Sequence, residues 1–469
     1  MMKRTATALL VILACHTGQA QYGKGRLADA DTGFTPSRTL VDSLNPRKSP
    51  LIPIGEVIGM NLALGAVNCY VTGSSWAKLS FKSIGKNFES GWATDADGLV
   101  TNMFDHPFHG SIYYNLARSS GYDYWASFGV AAVGSWQWEY FMETEHPALN
   151  DWVMTSMGGA LIGETFYRLS SLILDESTDG IERVWREIGA GIFNPGRLIN
   201  RLLNGQTWRV TSAKLYETAP GGGLLAFGVN KVAEGVNLKH GGKNGMMTFD
   251  YTYGRLFEKH SYKPLDFFHL YAAVNFSRQP ALGQLRLYGI LYGKNWTVGD
   301  NSRFLLGVFQ HYDYLENNVY QIGGVSVGLG IGYRTSPANP IRFAGTLHGS
   351  LILMGAANSD YAPEYKVKFL DSARTFNMGP GAQAKLDAAL TWSWVSFYVG
   401  YTTWWIHTWA GAPGDELIGI WTPRLQLDVY GPWSLGAEYL LYHRMGKYKL
   451  FPDKSFRNNE RRLTLGYTF

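Results

Sequence analysis

The sequence predicts a mixed fold: an N-terminal helical region followed by an antiparallel transmembrane β-barrel of about twelve strands. Three observations point there. Apolar residues recur at helical spacing from about 51 to 204 and change to a period of two from about 206 onward. Aromatic residues gather near the ends of the alternating segments. The closing stretch Leu463-Thr464-Leu465-Gly466-Tyr467-Thr468-Phe469 alternates and ends on an aromatic residue.

Composition sets the frame. Charged residues are 17% of 469, against a usual quarter, while aromatics reach 14% and glycine is the commonest residue type at 55. That balance suits sheets that curve and meet lipid headgroups. The net charge of +5 is spread along the chain without a run of Lys and Arg, which excludes a nucleic-acid arm.

Residues 1 to 20 have Lys3 and Arg4 ahead of an apolar run and small residues up to Ala20, the form of a signal peptide cut after Ala20. A rival cut before Cys15, with acylation of that Cys, is also open. With only Cys69 left, the mature chain has no internal disulfide. Residues 21 to 50 contain Pro36, Pro46 and Pro50 and read as a flexible segment. No uninterrupted run of 18 apolar residues follows the signal, so no spanning helix is expected.

The region 51–204 reads as a helical periplasmic-side or plug domain, with helices over 54–71, 76–88, 107–119, 124–143, 148–174 and 181–203. Pro107 and Pro147 suit first turns, and Gly121 suits a helix end.

The region 206–469 reads as an outer-membrane barrel. Met247, Phe249, Tyr251 and Tyr253 oppose Thr248, Asp250 and Thr252, and Leu425, Leu427 and Val429 oppose Arg424, Gln426 and Asp428. Val325, Val327, Leu329, Ile331 and Tyr333 alternate with Ser326 and three glycines, leaving inward space for a plug or a neighbour. Trp392, Trp394, Trp404, Trp405, Trp421 and Trp433 fit aromatic belts. At roughly 20 to 24 residues per strand with its connection, and an even count, this length gives twelve strands. The terminal strand ending on Phe469 resembles the signature recognised by the barrel assembly machinery, an expected partner in biogenesis.

A longer pattern runs from Trp92 through His106-Pro107-Phe108-His109-Gly110-Ser111, Tyr113, Asn115 and Ala117-Arg118, then Trp138-Glu139-Tyr140, and Gly158-Gly159, Gly163-Glu164 and Tyr167-Arg168-Leu169-Ser170. It resembles an uncharacterised bacterial family known only as a domain of unknown function. The resemblance covers about 80 residues and implies an envelope location, with no activity to carry over.

The helical region gathers polar groups among aromatics: His106, His109, Glu139, Glu143, His146, Asp151, Glu164 and Arg168. His106, His109 and Glu139 are candidates for acid–base work, with Ser111 as a possible nucleophile. Asp151, Glu164 and Arg168 are structural or ligand candidates, and Glu164 and Arg168 have the spacing of a helical ion pair. Gly159 and Gly163 share a helix face, which permits close helix contact. Asp95 and Asp97 fit a turn with solvated carboxylates. No HExxH, GxSxG or paired CxxC occurs, and no metal or cofactor is expected. The inward charges Asp250, His269, Arg342, His348, Asp387, Arg424 and Asp428 fit a lumen of either sign.

The expected function is that of an integral barrel protein of the Gram-negative outer membrane, without enzymatic activity, whose helical domain binds a lipid or another envelope protein. Outer-membrane lipids are its expected surroundings. Two alternatives stand beside it: a lipid-modifying hydrolase acting on lipid A or phospholipid, and a passive channel.

Overall fold

The computed structural model describes residues 33–95, 97–233, 242–276, 281–317, 320–369 and 375–469. The expected signal peptide, its cut after Ala20, the rival site at Cys15 and the first part of the polar segment lie outside the described residues. Residues 33–50, expected to be irregular, hold helix α1 (Arg38–Leu44) and a bridge from Phe34 to Thr218. Asn45 receives hydrogen bonds from Gln206 and Arg209, which ties this stretch to the end of the helical region.

The helices follow the apolar periodicity. They are α2 (Leu51–Ala66, continued by a π-turn to Val71), α3 (Phe81–Ser90), α4 (His106–Ser119, preceded by a π-turn Thr101–Asp105), α5 (Tyr124–Phe141), α6 (Leu149–Val153, with a π-turn Met154–Gly158) and α7 (Gly159–Ile173). Helix α3 starts in a capping box between Ser80 and Ser83. Gly121, at φ 89°, supplies the left-handed turn after α4. The single helix expected over 181–203 is in fact two, α8 (Gly180–Phe193) and α9 (Pro195–Leu203). Pro195 cannot continue a helix, and the Asn194 side chain accepts from Arg197 N at 2.9 Å to cap the next one.

The strands are β1 (Gly221–Ala233), β2 (Lys243–Tyr253), β3 (Phe268–Asn275), β4 (Leu282–Val298), β5 (Ser302–Glu316), β6 (Gln321–Arg334), β7 (Ile341–Asn358), β8 (Phe376–Trp392), β9 (Val395–His407), β10 (Gly414–Tyr430), β11 (Trp433–Tyr448) and β12 (Lys454–Thr468). Each pairs antiparallel with its neighbour in sequence, and β1 pairs with β12, so the sheet closes into a twelve-stranded barrel. The two-residue segment Ser261–Tyr262 adds to the free edge of β4. A short helix, α10 (Ala362–Phe369), lies in the β7–β8 connection.

Phe469 secures the seam. It exchanges backbone hydrogen bonds of 2.9 and 3.0 Å with Gly223, and its ring stacks 6.2 Å from Phe249 and 6.4 Å from Tyr251. Phe469→Ala removes two stacks worth about 0.5–1.5 kcal/mol each. The heat-modifiable electrophoretic band of the folded barrel should therefore convert at a lower temperature, and an unchanged temperature would show the seam to be indifferent to this ring.

Parity decides which side each strand residue faces. Leu329, Leu351, Leu425, Val429, Leu463 and Leu465 are exposed on the outside, whereas the opposite parity fills the lumen. Lys385 donates to Asp313 at 2.7 Å across three intervening pairings, Arg424 lies 3.4 Å from Asp250, and Arg444 pairs with Glu416 at 3.0 Å. Trp404, expected in an outer belt, points inward and donates to Asp313 at 3.3 Å, because its neighbour Trp405 takes the outward position. The inward space left by Gly330 and Gly332 is filled: a Cβ at Gly330 would meet the Phe309 ring at 2.7 Å, and one at Gly332 would meet Phe257 at 3.1 Å. Phe257 belongs to loop 254–267, which folds into the barrel end where β2 finishes. Asn295 holds it there by donating to Leu256 O and Lys259 O.

The helices do not plug this lumen. They stand against the outside of the wall, on residues of outward parity. Tyr312 Oη donates to Met103 O at 2.5 Å, Gln310 donates to Met157 O at 2.7 Å, and Trp125 stacks on Tyr292 at 6.0 Å. These barrel residues alternate with lumen-facing His311 and Asp313, so the two faces cannot be confused. One core cluster accordingly joins Tyr113, Tyr114 and Leu161 of the helices to Tyr253, Tyr312 and Met354 of the wall.

Candidate functional site

The residues that carry chemistry meet where α4, α5 and α6 come together. The π-turn 101–105 leads into α4 and places His106 at its start and His109 one turn on. His106 Nε2 lies 3.3 Å from Asp151 Oδ1, off line for a hydrogen bond. His109 packs between the rings of Tyr113 and Trp138, at 4.5 and 5.4 Å, and its Nε2 has no hydrogen-bond partner among the described residues.

Around Asp151 runs a network of amides and carboxylates. Asn150 Nδ2 donates to Asp95 Oδ1 at 2.7 Å and to Asp151 Oδ1 at 2.7 Å, and Asn102 donates to Asp95 Oδ1 at 3.3 Å and Asp97 O at 3.1 Å. Asp95 also accepts from Asp97 N at 3.1 Å, closing the turn. Asp95 and Asp97, expected to be solvated, divide: Asp97 is exposed, whereas Asp95 is half-buried and drawn into the network. Partial desolvation, and then the nearby charges of Asp95 and Glu145, push the Asp97 carboxyl up from its ordinary value.

Glu139 is buried and accepts from Ala148 N at 2.8 Å, so it pins the α5–α6 connection. Glu143 accepts from Trp138 Nε1 at 2.5 Å. His146 is exposed and outside the cluster. Ser111 Oγ donates to Phe108 O at 2.6 Å, a back-bond within its own helix, and offers no nucleophile in line with His106. Among the described residues no three His, Cys, Asp or Glu are gathered as a metal would need.

Glu164 and Arg168 meet in a second cluster, at 2.8 Å. Glu164 takes two more partners: Arg118 Nε at 2.8 Å and Tyr114 Oη at 2.7 Å. Arg168 reaches the barrel, donating to Pro264 O at 3.3 Å and lying 3.8 Å from Asp266. Gly159 and Gly163 do bring α7 against α4: a Cβ on Gly159 would sit 2.5 Å from Gly110 C, and one on Gly163 2.7 Å from the Tyr114 ring. A third cluster joins Glu187 to Arg183 at 2.8 Å and Arg201 at 2.6 Å.

Sequence reasoning missed Asn102, Asn150 and the role of Arg118. Arg118 lies 46 residues from Glu164 and Asn150 lies 55 from Asp95, beyond any spacing rule, whereas Asn102 meets Asp95 and Asp97 within its own connection. The signal that could have found them is residue type: Asn and Arg set between large apolar side chains need buried partners.

No curated protein matches the sequence. Solved structures with similarity are outer-membrane barrels, each matched over about half of this chain. The outer membrane channel DcaP of Acinetobacter baumannii is 10% identical, with 53% of this chain and 96% of that chain covered and a TM-score of 0.26. OmpF of Salmonella typhi, in complex with daunomycin, is 7% identical over 52% and 97%, at 0.24. The translocator domain of the autotransporter NalP from Neisseria meningitidis is 9% identical over 53% and 88%, at 0.23. The segment that holds all three clusters, apart from Arg201, is the part of the chain with a family of its own: residues 91–196 match the model of a domain of unknown function, DUF3943.

Proposed function

We propose that the chain is an integral outer-membrane protein in which the barrel is a closed anchor and the helical layer carries the function. That layer holds a lipid or an envelope partner at the cluster around Asp95, His106 and Asp151. One observation carries this reading: buried side chains bridge the lumen from wall to wall, whereas the Asp95, Asn102, Asn150 and Asp151 network beside His106 lies in the helical layer and reaches the surface at Asp97.

Planar-bilayer recording tests it. The full chain should give no unitary conductance steps, and Asp313→Ala combined with Trp404→Ala should produce them by opening the central bridge. Steps from the unaltered protein would replace this reading with that of a channel.

A second reading, hydrolysis of a lipid ester, is favoured by the 3.3 Å approach of His106 to Asp151, which sets an imidazole beside a carboxyl group. Matching lipid A and phospholipid acyl profiles in wild-type, deletion and His106→Ala strains would remove it.

A further inference from the structure

We propose that the outward side of the helical layer is immersed in the bilayer, so that acyl chains cover α2, α5, α8 and α9 as they cover the barrel. The inference rests on the barrel being a membrane protein and adds that the helices beside it share its depth.

Placement is the first support. The helices lean on outward-facing wall residues from Tyr253, at the end where β2 finishes, to Tyr314, near the opposite end. They therefore stand beside the apolar outer surface and continue it sideways.

Polarity is the second. An amphipathic helix in water turns its apolar stripe inward. Helix α8 does the reverse: Ile181 and Trp185 are 71% and 65% exposed, while Arg183 and Glu187 are 5% and 7% exposed. Helix α9 repeats the inversion, with Ile199, Leu202 and Leu203 outside and Arg197, Asn200 and Arg201 buried. In α5, Val133 and Trp136 face out while Ser135 and Glu139 are buried. Polar groups that face the bundle interior and bond one another, as Glu187 does with two arginines, are what a hydrocarbon surrounding enforces.

Length is the third. The helix Leu51–Val71 has 21 residues and is apolar and long enough to cross a membrane, contrary to the expectation from unbroken apolar runs, which Glu56 and Asn61 interrupt. At 1.5 Å per residue it measures about 31 Å, against a hydrocarbon core of about 30 Å. Asn61 turns inward and donates to Gly134 O at 3.2 Å, whereas Leu51, Ile58 and Leu62 are exposed. The small-residue crossing of α4 and α7 is the association device of membrane helices.

The test uses the full-length protein with Cys15→Ser and Cys69→Ser, reconstituted in vesicles of phosphatidylethanolamine and phosphatidylglycerol. Single cysteines at Ile58, Trp185, Leu351 and Lys82 carry a nitroxide, and each variant is first shown to keep its heat-modifiable band. Labels at Ile58 and Trp185 should collide several-fold more with oxygen than with a water-soluble nickel chelate, as at Leu351 on the barrel, and the ratio should reverse at Lys82. Chelate access at Ile58 and Trp185 with oxygen access at Leu351 would overturn the inference by placing the helices in water. Shielding from both probes would overturn it by placing a protein partner there. A label at Leu351 that meets the chelate would instead defeat the membrane reading of the barrel itself.

Discussion

Replacing Glu164 with alanine should release the helical layer from the barrel wall while leaving the barrel folded. Glu164 is the only carboxylate within hydrogen-bond reach of Arg118, at 2.8 Å, among the described residues, and it also holds Arg168 and Tyr114. Removing it strands the Arg118 guanidinium and leaves Arg168 only Pro264 O and the longer contact with Asp266, a loss of about 3–5 kcal/mol for one broken buried pair. That is comparable to the whole stability of a small domain, about 5–15 kcal/mol. Arg168 also carries the link to Pro264 and Asp266, so the damage spreads to the contact with the barrel loop. Limited proteolysis should open new cuts between 100 and 175, while the heat-modifiable band of the barrel persists. The companion variant Glu164→Leu, Arg118→Leu, Arg168→Leu should recover much of the resistance, because a buried triad replaced by apolar side chains loses no unpaired charge. Equal proteolysis of wild type and Glu164→Ala would show that the triad does not hold the layer.

Much of this fold was legible because its period is local. Which strand residues face out follows from parity alone, so Phe249 and Leu425 were placed correctly without any knowledge of a neighbour. The even strand count follows from closure. Local rules run out where partners are distant. The periodicity of α8 separates Ile181 and Trp185 from Arg183 and Glu187, yet it does not say which side meets protein, and in this environment the usual answer is inverted. Nor does the pattern of β5 distinguish Tyr312, which meets Met103, from an outward residue that meets solvent or lipid. The clusters were half legible for the same reason. Glu164 and Arg168 are one helical turn apart and could be paired on paper, whereas Arg118 joins them from another helix. His106 and Asp151 were singled out separately, and only the crossing of the helices brings them to 3.3 Å.

That crossing is the target of the second large effect. Alanine normally improves a helical glycine position by about 1 kcal/mol, and Gly129 in α5, with nothing within 4 Å of a Cβ, should show that gain. Gly110 should show the opposite sign. A Cβ there would lie 1.8 Å from Thr155 O and 2.7 Å from Thr155 C, atoms of the backbone that cannot swing aside. The helices must separate, at a cost above the usual 1–3 kcal/mol of overpacking, in which side chains can share the adjustment. The consequence reaches the candidate site because the geometry is shared. Gly110 stands one turn after His106 and Thr155 one turn after Asp151, so parting the two backbones at 110 and 155 also parts the His106–Asp151 pair. Thermal unfolding of the helical layer should therefore rise for Gly129→Ala and fall steeply for Gly110→Ala. Any function that depends on the cluster should be lost in Gly110→Ala at temperatures where the layer is still folded. Equal stability of the two variants would mean that the close crossing is not maintained, and with it the site that it builds.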